Sequence, residues 1–206
     1  GTPTYLVELL QMHHYDLHKM AHVETDADVL NSIDSSSTNP IPVIYQSGYL
    51  TIKGYDREFG IYRLGFPNRE VEEGFMKFLL PYYANTDKVE APFEVQKFVR
   101  EIRAGDYDSF FRRLQSFFAD TTYEIIREQE LHYQNVLFVV FKLMGFYTNV
   151  EYRTSEGRID LVLQTDKFIY VMEFKLDGTA EEALRQINEK HYAQPFAADS
   201  RKLFKI

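Results

Sequence analysis

Residues 157–176, GRIDLVLQTDKFIYVMEFKL, decide the fold that we expect for this chain. Two runs rich in Ile, Val, Phe and Tyr flank a polar step at residues 164–167, a pattern typical of a β-hairpin. With a two-residue tip, Thr165 faces Phe168. The pairs outward from the tip are then Leu163 with Tyr170, Leu161 with Met172, and Asp160 with Glu173.

The predicted hairpin sets two carboxylates side by side. Side chains alternate between the faces of a strand, so Glu173 and Lys175 point the same way, toward Asp160. Directly opposed like charges destabilise a sheet, and a bridging divalent cation would offset the repulsion. One interpretation of this arrangement is a site for metal-dependent phosphodiester chemistry. The other is that the two carboxylates lie at a solvated strand edge, with Lys175 as an ion-pair partner. The opposite face is predicted to be covered by Ile159, Leu161, Leu163, Met172 and Phe174.

Composition limits the classes of protein that fit. The chain has 206 residues, 45% of them apolar, which is enough for one large domain or two small ones. No apolar run reaches the length of a membrane span, and the absence of cysteine excludes disulfides and thiolate metal sites. We expect a cytoplasmic protein with no membrane partner. The net charge of −8 argues against nonspecific polyanion binding but leaves room for a local basic surface.

The front of the chain predicts helices followed by a short hairpin. The apolar residues within 3–23 have helical spacing, but Asp16 is predicted to be the N-cap of a second helix, which breaks the first one. His14, His18 and His22 would align on a continuous helix as a metal site, and otherwise are surface histidines. Strands are predicted at residues 49–55 and 61–66, which suggests a winged-helix-like unit. A helix follows at residues 70–83.

The middle of the chain predicts further helices, at residues 93–103 and 107–118, separated by a stop at 104–106. A long helix is then predicted from Thr122 to Met144, ended by Gly145. Its apolar stripe meets Glu130, and a carboxylate at the end of a buried stripe needs a partner. The alternative is a helix-end acid paired with solvent or an arginine. We expect domains at residues 1–86 and 121–206, joined by a helical connector at 87–120.

A last helix is predicted after the hairpin. Thr179 and Glu182 form a capping box, and the helix runs to about Tyr192. Ala183, Leu184 and Ile187 are expected to pack it on the sheet. Residues 202–206, KLFKI, begin a strand that looks cut short. The overall expectation is an α+β or α/β protein with a mixed sheet flanked by helices.

The GRID and MEFK segments resemble the active-site hairpin of the PD-(D/E)xK nuclease superfamily. The chain is also similar to bacterial proteins that join an AAA-ATPase-like region to a C-terminal nuclease-like domain. The segments that carry this second similarity are GTPTYLVELL, YQSGYLTIKGYD, LGFPNREVEEGF and EALRQINEKHYA. The resemblance implies a restriction-endonuclease-like domain. It also implies that residues 1–86 end an ATPase-like region whose nucleotide-binding core precedes Gly1.

The resemblance implies roles for individual residues. Asp160 and Glu173 would bind Mg²⁺ or Mn²⁺ together with the Phe174 backbone carbonyl. Glu130 would complete the metal site, and Lys175 would act on the attacking water. Gln186 would orient phosphate or water, although a plain surface hydrogen bond is the alternative. A basic rim is expected around Arg158, Lys175, Arg185, Lys190, Arg201 and Lys202, in which Arg158 and Lys190, with Tyr192, contact nucleic acid.

Two functions therefore compete. The first is Mg²⁺-dependent cleavage of nucleic acid, DNA rather than RNA, by Asp160, Glu173, Lys175 and Gln186. The second is an interaction or regulatory module on a nuclease-like scaffold, which the acidic balance suits. ATP hydrolysis by this chain itself is disfavoured, because the sequence has no GxxxxGK[ST] run.

Overall fold

The computed structural model describes residues 3–32, 39–119, 126–155, 158–175 and 179–206, without the side chains of 3, 126–128, 154, 155 and 158. The predicted helix start at Thr122 lies outside the described residues. Contacts divide the chain into two units, Gly1–Tyr83 and Ala84–Ile206.

The first unit combines helices with a small antiparallel sheet. Its helices are α1 (Pro3–Met12), α2 (Ala27–Asn31), α3 (Ile41–Gln46) and α4 (Arg69–Tyr83), with a 3₁₀ helix at Leu17–Ala21. Its strands are β1 (Val23–Thr25), β2 (Thr51–Asp56) and β3 (Ile61–Gly65), in the order β1-β3-β2. The β2–β3 hairpin was predicted. Strand β1 was not, because three residues are too few to show a period.

The predicted break at Asp16 is confirmed. Helix α1 ends at Met12, and the Asp16 carboxylate accepts a hydrogen bond from the backbone N–H of His18 at 3.1 Å. Because the chain changes direction here, His14, His18 and His22 do not lie on one continuous helix. The geometric basis for aligning three imidazoles is therefore absent.

The second unit is a mixed sheet between helices. Its helices are α5 (Ala91–Ala104), α6 (Tyr107–Phe117), α7 (Ile126–Met144) and α8 (Ala180–Glu189), with a 3₁₀ helix at Gln194–Phe196. Its strands are β4 (Asn149–Ser155), β5 (Arg158–Gln164), β6 (Phe168–Lys175) and β7 (Lys202–Lys205). The order is β4-β5-β6-β7, with β7 parallel to β6 and the other pairs antiparallel. This α+β arrangement is consistent with a restriction-endonuclease-like fold.

The register of the β5–β6 hairpin is the predicted one. Asp160 pairs with Glu173, Leu161 with Met172 and Leu163 with Tyr170. At the tip, the Thr165 hydroxyl accepts a hydrogen bond from the backbone N–H of Phe168 at 2.9 Å, and the Thr165 N–H donates to the Phe168 carbonyl at 2.9 Å. The turn thereby fixes which residues of the two strands face each other.

One face of the sheet packs against α5, α6 and α7. The Phe174 ring lies 6.3 Å from that of Phe111 and 5.8 Å from that of Phe141. The Tyr170 hydroxyl donates to the Ile102 carbonyl at 2.7 Å, and burial raises the pKa of Tyr170 to about 12. Helices α5 and α6, expected as a connector, thus contribute directly to the core under the sheet.

The other face of the sheet packs against α8. Ile187 and Ala183 of this helix are buried, and Ile187 contacts a cluster with Ile169 and Val171. The capping box of Thr179 and Glu182 is present. The expectation for Leu184 was wrong. Its side chain is 42% exposed, because it lies one position off the buried stripe of α8.

We expect Gly105→Ala to lower the free energy of unfolding by about 1–3 kcal/mol. Gly105 ends α5 with φ 80°, and an added Cβ would lie 2.8 Å from the Phe168 ring. Gly74→Ala, at an open position in α4, is the control and should raise stability by about 0.5–1 kcal/mol. Urea unfolding followed by circular dichroism measures both. Equal stability of the wild type and Gly105→Ala would contradict this account.

Candidate active site

Asp160 and Glu173 form a close pair across adjacent strands. The backbone N–H of Glu173 donates to the carbonyl of Ile206 at 2.9 Å, so the amide points toward the β7 side and away from β5. The Asp160–Glu173 pair is therefore of the non-hydrogen-bonded kind, in which opposed Cα atoms lie about 4.5 Å apart and side chains approach closely. Both carboxylates project from the face that carries α8.

The Glu173 carboxylate is withdrawn from solvent, and Asp160 is half-buried. The Glu173 side chain has 0% exposure, and the Nζ atom of Lys175 lies 3.6 Å from its Oε1 atom. The Oδ1 atom of Asp160 is buried as well. Two neighbouring carboxylates repel each other, and burial removes hydration from Glu173 and from one oxygen of Asp160, so this arrangement favours added positive charge.

The donor set fits a hard divalent cation. Carboxylate and carbonyl oxygens are the ligands that Mg²⁺ takes, and it keeps other positions for water and phosphate oxygens. Among the described residues, no three His, Asp or Glu side chains come together where they could hold a metal ion. Within this part of the chain, Asp160 and Glu173 are the neighbouring side chains that could hold such an ion.

Arg153 extends the carboxylate pair into a row across three strands. It lies directly opposite Asp160 on β4, and its side chain is 79% exposed, with Glu151 at 3.9 Å. Sequence reasoning missed this residue. Alternation along residues 149–155 places it on the same face as Asp160, but only the β4–β5 register shows which residue it faces.

A groove of about 650 Å³ opens beside the pair. The sheet forms one wall and the segment 190–196 after α8 forms the other. The lining residues are Glu151, Arg153, Asp160, Leu161, Val162, Val171 and Met172 on the sheet, and Lys190, His191, Tyr192, Pro195 and Phe196 on the segment. The groove therefore brings two predicted nucleic-acid contacts, Lys190 and Tyr192, to the same cavity as Asp160.

The segment that forms the second wall has a sharp backbone turn. His191 adopts φ 54°, a left-handed conformation that is uncommon for a residue with a Cβ. Its carbonyl accepts from the N–H of Gln194 at 2.8 Å. Next to this turn, the Nζ atom of Lys190 lies 5.9 Å from the centre of the Tyr192 ring. Sequence reasoning did not identify His191 as a groove residue.

Other predicted site residues lie elsewhere. Glu130 is half-buried on α7, where its carboxylate accepts a hydrogen bond from the Gln134 side-chain amide at 3.5 Å. Gln186 is half-buried on α8. Neither residue lines the groove. Peptide groups alternate along a strand, so the Phe174 carbonyl points toward β5. Arg158 pairs with Lys175 in the strand register, while its side chain lies outside the described residues.

The predicted basic rim is divided. Arg201 lies near the hairpin tip, where it donates to the Thr165 carbonyl at 2.9 Å and to the Gln164 side chain at 3.0 Å. Hydrogen bonds from Arg201 lower the pKa of Asp199 to about 2. Lys202 pairs in register with Phe168, also near the tip. Arg201 and Lys202 are therefore separated from Asp160 by most of the length of β5.

Comparison with known proteins identifies the second unit's relatives. Residues 128–206 match the model of the PD-(D/E)XK nuclease superfamily. The matched region contains the Asp160–Glu173 pair, Lys175 and the groove. The resemblance expected from GRID and MEFK is thus confirmed at the level of the superfamily, and the association with an ATPase-like region stays a prediction.

A curated relative covers both units of the chain. The "Uncharacterized protein in vnfD 5'region" of Azotobacter chroococcum mcd 1 is 27% identical over 208 residues, which include 96% of this chain. The chain spans 40% of that relative's length. No solved structure matches the chain significantly. Among the described residues, no helix is long and apolar enough to cross a membrane.

We expect Mg²⁺ or Mn²⁺ to raise the melting temperature of the wild type by several degrees, because a ligand that binds only the folded state stabilises it. Asp160→Asn should remove this rise. In EDTA, the same variant should melt no lower than the wild type, since it relieves a like-charge contact. Differential scanning fluorimetry measures both effects.

Glu151→Gln is the matched control for this measurement. Glu151 is a half-exposed acid on the same sheet face and lines the same groove, but it is paired in register with Val162 rather than with Glu173. This variant should keep the metal-dependent rise. An equal rise in Asp160→Asn and in the wild type would show that the cation binds elsewhere.

Proposed function

We propose that the second unit hydrolyses phosphodiester bonds in nucleic acid, with DNA as the expected substrate and Mg²⁺ or Mn²⁺ as the cofactor. The observation that carries the proposal is the non-hydrogen-bonded pair of Asp160 and Glu173 with Lys175 3.6 Å from Glu173. The superfamily match over residues 128–206 supports it independently.

The proposed roles follow from the positions of the side chains. Asp160 and Glu173 would hold the divalent cation, with the Phe174 carbonyl as a further oxygen ligand. The bound ion would supply positive charge to the phosphate oxygens and make water a stronger acid. The Nζ atom of Lys175, as an ammonium group, would hold the attacking water and offset negative charge in the transition state, while the proton of that water passes to solvent.

Two more predicted residues have less direct roles in this proposal. Glu130 and Gln186 do not line the groove, so any contribution from them would pass through water or through neighbouring side chains. Gln186 precedes Ile187, which anchors α8 on the sheet. We therefore propose Gln186 as a positioning residue and Glu130 as an acid outside the pair that holds the cation.

Substrate contact would be local. The chain has a net charge of −8, which opposes attachment along a long stretch of phosphate backbone. Cations near the carboxylates offset this in one place, since Arg153 and Lys190 line the groove with Asp160. Binding should accordingly be weak in general and concentrated at the groove.

We also propose that this nuclease unit works beside an ATPase-like region. Support comes from the resemblance of the segments in residues 1–86, and the alignment with the curated relative adds only that both units occur together in a longer protein. In this view the first unit belongs to the ATPase-like region. Nucleotide turnover would then be a property of the longer protein.

We expect Asp160→Asn to reduce Mg²⁺-dependent cleavage at least about 100-fold, because it removes a carboxylate of the proposed metal pair. Lys175→Met should reduce kcat comparably. The measurement is nicking and fragmentation of labelled DNA and RNA by purified protein, with Mg²⁺ and with Mn²⁺. Lys202→Ala, a lysine near the hairpin tip, is the control and should keep full activity.

Removing Lys175 alone leaves Glu173 buried with less neighbouring positive charge, which by itself destabilises a fold. The double variant Glu173→Gln with Lys175→Met avoids this, since both charges disappear together. It should fold, as judged by circular dichroism, and have no detectable cleavage. A fully active double variant would end the proposal, as would a wild type inert on every nucleic acid tested.

A further inference from the structure

The groove beside the carboxylate pair has two chemically distinct rows of side chains on its sheet wall. The first row is Arg153 and Asp160, next to the fully covered Glu173, which does not line the groove; the second is Glu151, Val162 and Val171. The rows are two residues apart along each strand, which is about 7 Å. At this separation, Arg153 of the first row and the two valines of the second match the phosphate and the base of one nucleotide.

The opposite wall repeats this division. Lys190 supplies a cation, while Tyr192 and Phe196 supply half-buried aromatic rings. Aromatic side chains bind unpaired bases by stacking, whereas bases in a duplex are already stacked on their neighbours. The groove therefore contains both features that recognise an unpaired nucleotide, a cation for phosphate and an aromatic surface for a base.

Access to the carboxylates also argues against an intact duplex. The segment 190–196 is anchored on the carboxylate face, since Tyr192 and Phe196 pack against the buried cluster of Ile169, Val171 and Ile187. Lys205 further ties β7 to Asn188 of α8 at 2.5 Å. The Glu173 side chain is fully covered. Enzymes whose reacting centre is recessed in this way act on single strands or take the nucleotide out of the stack.

We propose that this groove binds one unpaired nucleotide, with its phosphate at Arg153 and Lys190 and its base against Tyr192, and that the substrate is therefore single-stranded nucleic acid or a frayed end. This inference rests on the proposed function for the identity of the ligand as nucleic acid. It adds Arg153, which the superfamily resemblance did not indicate, as a substrate-contacting residue.

Equilibrium binding tests the inference apart from catalysis. Fluorescence anisotropy would be measured with a labelled 12-nucleotide DNA, its RNA counterpart and the blunt DNA duplex of the same sequence, with Ca²⁺ in place of Mg²⁺. The single strands should bind at least about ten-fold more tightly than the duplex. Tyr192→Ala should weaken single-strand binding about ten-fold, or about 1.4 kcal/mol, and Tyr192→Phe should restore it.

The arginine has a closely matched control. Arg153 is 79% exposed with an acid at 3.9 Å, and Arg185 on α8 is 70% exposed with an acid at 3.7 Å, but only Arg153 lines the groove. Arg153→Ala should weaken single-strand binding several-fold and reduce its salt dependence, while Arg185→Ala should change neither. Both positions are on the surface, so neither variant should unfold the protein.

A base analogue locates the bound nucleotide. 2-Aminopurine placed in turn along the single strand should change fluorescence at one or two adjacent positions, and Tyr192→Ala should abolish that change. Duplex binding as tight as single-strand binding, or equal losses in Arg153→Ala and Arg185→Ala, would overturn the inference. Single-strand binding without cleavage would retain it and overturn the nuclease proposal, and no binding of any nucleic acid would overturn both.

Discussion

The juxtaposition of Asp160 and Glu173 across two strands is the constraint on which the site depends. Side chains alternate with a period of two, so a slip of one residue between β5 and β6 would send one carboxylate to the face packed against α5–α7. The register is fixed at the tip, where Thr165 bonds to the backbone of Phe168. Arg201 reinforces that turn. A turn at the far end of the hairpin thus determines which side chains meet at its base.

The two faces of the sheet in the second unit differ in how completely they are covered. On one side, aromatic contacts of Phe174 with Phe111 and Phe141, and the buried hydroxyl of Tyr170, hold the strands against the helices. On the other side, α8 covers only part of the sheet, through Ile187, and the segment that follows it leaves a groove. The packed side supports the strands that carry the carboxylates, and the partly covered side opens a groove to Asp160.

Local patterns predicted much of this arrangement. The hairpin register followed from alternation and a two-residue tip, and the start of α8 from the Thr179 capping box. Properties that depend on strands distant in sequence could not be predicted this way. The position of Arg153 opposite Asp160 requires the β4–β5 register, and the groove requires the turn at His191. Leu184 was misplaced because the apolar stripe of α8 is narrow.

The proximity of Lys175 to Glu173 has a consequence for how the protein is made. An internal counter-charge lies beside the buried acid before any ion arrives. Folding and metal loading can then be separate events, unlike those of small zinc domains that stay unfolded without their metal. Under the proposed function, a chain could fold before the cation binds, and loss of the cation would stop catalysis without exposing the core to proteolysis.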